Sequence, residues 1–121
     1  MPIVDIEIVL KVNEIIQSKT VEELADQIGE IFGSPKGTTW VKVRGLPDSH
    51  YAENGGTPDG VFPVFVSVLK SNLPTKDEMQ KEVKMITGAV AQICARPSGN
   101  VHVIYQPEGR DRVAFGGKLI S

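Results

Sequence analysis

Hydrophobic and polar positions alternate between two periods along the chain. Ile3 to Val9 is β-branched and apolar with Asp5 and Glu7 interspersed, which predicts a strand. Val21, Leu24, Ala25, Ile28, Ile31 and Phe32 then follow a three-four spacing, which puts one apolar stripe on a helix. Thr20 and Glu23 fit a capping box at its start, and Gly33-Ser34-Pro35 stops it. Thr39 to Arg44 predicts a second strand and Pro63 to Leu69 a third. A second helix opens at the capping box Thr75 and Glu78, carries Met79, Val83, Ile86, Val90, Ile93 and Cys94, and ends at Ala95-Arg96-Pro97. Asn100 to Gln106 predicts a last long strand.

The same order occurs twice. A gapless shift of 62 residues, from Pro35 to Pro97, lays Ser34 to Val41 on Arg96 to Val103. It also pairs Val4 with Val66, Val21 with Val83, Ile31 with Ile93, Ala52 with Ala114 and Gly55 with Gly117. The chain is therefore expected to be one domain of two strand-helix-strand repeats, about 2–60 and 63–121, with Asp48 to Gly60 and Arg110 to Gly117 as matching polar, glycine-rich links. A unit this short crosses over right-handed and makes its strands parallel neighbours. The predicted fold class is α/β (α+β): two tandem βαβ units in a four-stranded sheet with both helices on one face. The other face, assigned Trp40, Ile104 and either Val4 or Val66, is too apolar to stay wet, and a partner subunit is the simplest cover.

Composition narrows the function. At 121 residues the chain is long enough for a real core, and its formal charge of −2 argues against nucleic acid as an obligate partner. No apolar run approaches the roughly 20 residues needed to span a membrane, and no basic and apolar leader is readable. The lone Cys94 excludes an internal disulfide framework and suits the cytoplasm. Two histidines and one cysteine far apart make no metal-ligand pattern. Gly55-Gly56 lacks the strand-to-helix context of a phosphate loop. No cofactor is implied.

Pro2 carries the distinctive chemistry. With Met1 removed, its ring nitrogen becomes a free secondary amine, able to act as a general base or a nucleophile; with Met1 retained, it is a tertiary amide without basicity. Lys70, after the third strand, is open to two readings: a carboxylate-binding cation or a solvated strand end. His102 points to the face opposite Val101 and Val103, as a structural histidine at a subunit interface or as a substrate ligand. Arg112 and Phe115 flank the terminal Gly116-Gly117 and either rim a pocket or belong to a mobile tail. Lys42 and Arg44 share the face of Trp40, whereas Tyr105 on the valine face and Cys94 on the helix stripe read as core.

Met1-Pro2-Ile3-Val4, Pro35 through Val43, Pro97 through Tyr105 and the pairs Gly55-Gly56 and Gly116-Gly117 together resemble the tautomerase superfamily of oxalocrotonate tautomerase and macrophage migration inhibitory factor. The likeness covers nearly the whole chain, and its length resembles the fused, double-unit members. It implies a homotrimer and a cofactor-independent tautomerase or isomerase of small keto or enol carboxylates, with Pro2 as general base. Lys70, His102, Arg112, Phe115 and Trp40 are the candidate substrate-binding residues. The chain departs from the pattern where the small tautomerases place an arginine on the return strand; Trp40 and His102 stand there. The dehalogenase and decarboxylase branches place an arginine pair after the second unit's first strand, and only Lys70 stands there. Hydration-type dehalogenase or decarboxylase chemistry on the same site, and a non-catalytic trimeric binding protein, are the alternatives.

Overall fold

The computed structural model describes residues 2–120; Met1, whose removal decides the state of the Pro2 nitrogen, lies outside them. The elements run β1 (Ile3–Val9), α1 (Ser18–Ile31), β2 (Trp40–Leu46), β3 (Val64–Leu69), α2 (Lys76–Cys94) and β4 (Val101–Tyr105). A short hairpin, β5 (Ala114–Phe115) and β6 (Lys118–Leu119), follows. The main sheet has four strands in the order β2-β1-β3-β4. β1 runs parallel to β2 and β3 parallel to β4, while the two inner strands are antiparallel. Each strand-helix-strand unit therefore supplies one inner and one edge strand.

Alternation decides the faces. Val4, Ile6 and Ile8 of β1 and Val64, Val66 and Val68 of β3 are buried on the side where Leu24 and Ile28 of α1 and Ile86 and Val90 of α2 pack. Burying each such side chain stabilises by roughly 1.5–3 kcal/mol, so this single layer dominates the folding energy. The assignment of Val4 or Val66 to the open face is thereby corrected. Trp40 pairs with Ile3, not Val4, so Val4 shares its face with Val41. The open face carries Trp40 and Ile104, but also the cross-strand ion pairs Lys42–Asp5 (3.2 Å) and Arg44–Glu7 (3.0 Å). It is amphipathic, with an apolar end and a charged flank.

The helix caps differ. Thr75 and Glu78 form the predicted capping box with both reciprocal bonds present, and α2 ends at Ala95 in the left-handed conformation. The predicted Thr20–Glu23 box does not form. Helix α1 already begins at Ser18 after an extended Gln17 with no side-chain cap, so Thr20 lies inside the first turn. Ile16 packs on the core just before it and fixes this earlier entry.

Arg96, read from sequence only as part of a helix stop, is a buried anchor. Its guanidinium donates to both carboxylate oxygens of Glu14 (2.7 and 2.6 Å) and to the carbonyls of Phe62 (3.0 Å), Cys94 (2.8 Å) and Val9 (2.8 Å). Three segments are thus tied behind the carboxyl end of β1. The chain after Gln106 is an ordered hairpin, which corrects the mobile-tail reading. Gly116 and Gly117 have φ of 57° and 91°, the positive values that a two-residue hairpin turn between Phe115 and Lys118 requires.

Candidate active site

Pro2 is buried at the amino end of the inner strand β1, and its carbonyl accepts a 3.0 Å hydrogen bond from the Trp40 backbone amide. One residue beyond the Ile3–Leu69 pair of the antiparallel register, Pro2 of β1 stands opposite Lys70 of β3. By alternation both fall on the helix side, in line with Val4 and Val68.

Lys70 is not a solvated strand end. Its ammonium lies 3.2 and 3.1 Å from the two carboxylate oxygens of Glu82 on α2, with the side chains only 19% and 14% exposed. It also sits 4.4 Å from the centre of the Phe32 ring at the end of α1, a cation–π contact. The hydroxyl of Tyr105 donates to the same Glu82 carboxylate. Burial, and next the hydrogen bond and charge of Glu82, push the Tyr105 phenol well above its ordinary range, so it stays protonated. The helix-side wall beside Pro2 is therefore a closed Lys70–Glu82–Tyr105 network.

Glu82 escaped the sequence reading, although a signal existed. It falls three residues after Met79 and four before Ile86, on the edge of the apolar stripe of α2. A carboxylate there needs a buried partner, and only packing of α2 on β3 and β4 shows which.

On the other side of the strand end, Trp40 is 50% exposed and donates from its indole to the Gly37 carbonyl at 3.0 Å. Phe115 of the hairpin meets it edge to face, with centroids 5.2 Å apart and planes at 89°. Arg112 lies in the turn that leads into this hairpin, and its amide donates to the Gly109 carbonyl at 2.9 Å. Gly109 is in turn bonded to the Lys70 carbonyl at 2.8 Å, and an added Cβ would come within 3.0 Å of Val113, so the turn packs closely on the end of β3. Arg112 is exposed and has no ion-pair partner among the described residues.

The fold thus brings Pro2, Lys70, Trp40, Phe115 and the turn bearing Arg112 to one end of the sheet. It does not bring His102. That residue pairs with Phe65, which pairs with Glu7, so it lies roughly 16 Å along the strands from Pro2 at about 3.3 Å per residue. Its ring is exposed and lies 5.6 Å from Phe65. The five larger clefts of the described surface lie elsewhere, among them those between α1 and α2, and Pro2 lines none of them. No group of residues able to hold a metal ion occurs among the described residues.

This α+β architecture of paired βαβ units, with a proline opening an inner strand, is the fold of the tautomerase superfamily that includes 4-OT and macrophage migration inhibitory factor. Among solved structures, a fused 4-OT symmetric trimer matches with a TM-score of 0.78 at 13% identity, over 97% of this chain and 94% of that one. Pt0534 inactivated by 2-oxo-3-pentynoate matches with a TM-score of 0.76 at 16% identity, over 97% and 94%. The macrophage migration inhibitory factor from Trichinella spiralis matches with a TM-score of 0.75 at 14% identity, over 97% and 98%. No protein-family model and no curated protein matches the chain.

Proposed function

We propose that the protein is a cofactor-independent tautomerase or isomerase of small keto or enol carboxylates, with Pro2 as its general base. The observation that carries this reading is the setting of Pro2: buried at the start of an inner strand, held through its carbonyl, and flanked by a polar network and an aromatic pair, in a chain with the tautomerase fold. Once Met1 is removed, the ring nitrogen takes a proton α to the substrate carbonyl and returns it to the other end of the enol system. The strand fixes the ring, so the lone pair is aimed without the rotamer entropy that a lysine would lose. Burial disfavours the ammonium and brings its pKa toward neutrality, where a base is free and still effective.

Trp40 and Phe115 form the apolar wall. Arg112, without an ion-pair partner among the described residues, is the cation available to the substrate carboxylate, since the charge of Lys70 is already committed to Glu82. A homotrimer completes the site. Its support is the half-open end around Trp40, the amphipathic sheet face, and the trimeric assembly of the fused 4-OT. His102, remote from Pro2 in its own chain, serves a neighbouring subunit's site.

The test uses protein made in its native host, with the loss of Met1 verified by intact mass. Turnover of phenylenolpyruvate or hydroxymuconate is expected, and turnover of a haloacrylate would redirect the reading to hydration chemistry. Pro2→Ala keeps a primary amine and is expected to leave reduced activity. Full turnover by protein shown to retain Met1 would refute the base.

A further inference from the structure

Resting on Pro2 as the base, we propose that Glu82 is a positioning residue of that site. It holds Lys70 and Tyr105 together beneath α2 and cancels the lysine's charge, so that the site accepts a monoanionic acid and disfavours a dianionic one.

The geometry is specific. Both Glu82 oxygens lie within 3.2 Å of the Lys70 ammonium, and one of them also accepts from Tyr105. Neither charged side chain is more than a fifth exposed, so water screens the pair weakly. For packing alone, an apolar pair of similar volume would serve at least as well. The charged groups around Pro2 are few. From β3 comes Lys70; from α2 come Glu82 and Glu78, the latter engaged in the helix cap; from β4 comes the protonated Tyr105. Arg110, Asp111 and Arg112 of the turn packed on β3 are all exposed and well screened.

The wall nearest Pro2 is therefore neutral only while Glu82 is ionised. Removing Glu82 leaves a positive charge one strand away from the ring nitrogen, which disfavours the Pro2 ammonium and attracts a second substrate carboxylate. Removing Lys70 instead leaves a negative charge, with the opposite effect on both.

The experiment uses the full chain without Met1 and 2-oxo-3-pentynoate, a monoanionic ynone. The Pro2 nitrogen lone pair adds to the alkyne carbon β to the ketone, and a proton goes to the α carbon. No group leaves, so the protein gains the whole mass of the reagent. The labelling rate against pH reports the protonation of Pro2 independently of turnover. In Glu82→Gln the midpoint is expected to fall by about one pH unit, and in Lys70→Met to rise by a similar amount. The double variant is expected to return close to the wild-type midpoint, a pattern of opposite shifts and recovery that loosened packing does not produce. Glu82→Gln is also expected to lower KM for hydroxymuconate, a diacid, about tenfold relative to phenylenolpyruvate, a monoacid. Adduct formation on Pro2 with unmoved midpoints and an unchanged KM ratio would overturn the role of Glu82 alone. Absence of any Pro2 adduct in the wild type would overturn the base, and this role with it.

Discussion

Replacing Arg96 by Met is expected to be among the most damaging single changes in the chain, although Arg96 stands far from Pro2. Its side chain is 1% exposed and makes five hydrogen bonds, two to Glu14 and one each to Phe62, Cys94 and Val9. Methionine fills most of the stem volume but strands three inward carbonyls and one carboxylate. Breaking a buried ion pair by removing one partner costs about 3–5 kcal/mol. Glu14 remains 28% exposed and can rehydrate, which favours the lower part of that range. At about 3–5 °C per kcal/mol for a domain of this size, the midpoint should fall by roughly 10–15 °C.

Glu14→Gln tests the same anchor more gently, because Arg96 keeps its three carbonyl acceptors; a loss of about 1–2 kcal/mol is expected. The hydrogen bond from Arg96 outweighs partial burial and holds the Glu14 carboxyl below its usual range, with a further contribution from the Lys11 amide. A depressed folded-state pKa stabilises above the unfolded value and is lost as pH falls through the folded one. The gap between wild type and Glu14→Gln should therefore be full at neutral pH and close progressively below about pH 4. Thermal and urea melts at fixed protein concentration, repeated from pH 7 to pH 3, measure both effects. An Arg96→Met midpoint within about 3 °C of wild type would refute the anchor. A Glu14→Gln gap that widened toward acid would refute the sign.

Other expectations follow from single features. Ile28→Ala, at a fully buried position beneath the sheet, should cost about 2–5 kcal/mol in urea unfolding, the range for an unfilled core cavity. Thr75→Ala, which removes one half of the α2 capping box, should cost about 1 kcal/mol in the same assay and leave Pro2 chemistry unchanged. Trp40→Ala should raise KM and weaken assembly together, read by turnover and light scattering across a dilution series, because Trp40 belongs both to the aromatic wall and to the open face. A monomer mass for the wild type at micromolar concentration would count against the trimer.

The two periods of the sequence by themselves determined the element order, the paired βαβ units and the identity of the core. Apolar side chains at period two and at three-four spacing can be buried together only when strands lie flat under helices. Local chemistry settled the α2 cap in the same way, because a capping box involves residues three apart. Pro2 was legible as the chemical outlier because its secondary amine belongs to the residue type. Properties that depend on register or on long loops belonged to the tertiary structure. Only the pairing of Ile3 with Trp40 turned Val4 inward and left Asp5 and Glu7 facing Lys42 and Arg44. Only the packing of α2 joined Lys70 to Glu82 and neutralised the expected cation. Arg96 and Glu14 lie 82 positions apart, and Phe115 reaches Trp40 only through the final hairpin. Pattern reports which face a residue shares with its neighbours along the chain; which charge it meets across space is decided by the fold that brings them within a few ångströms.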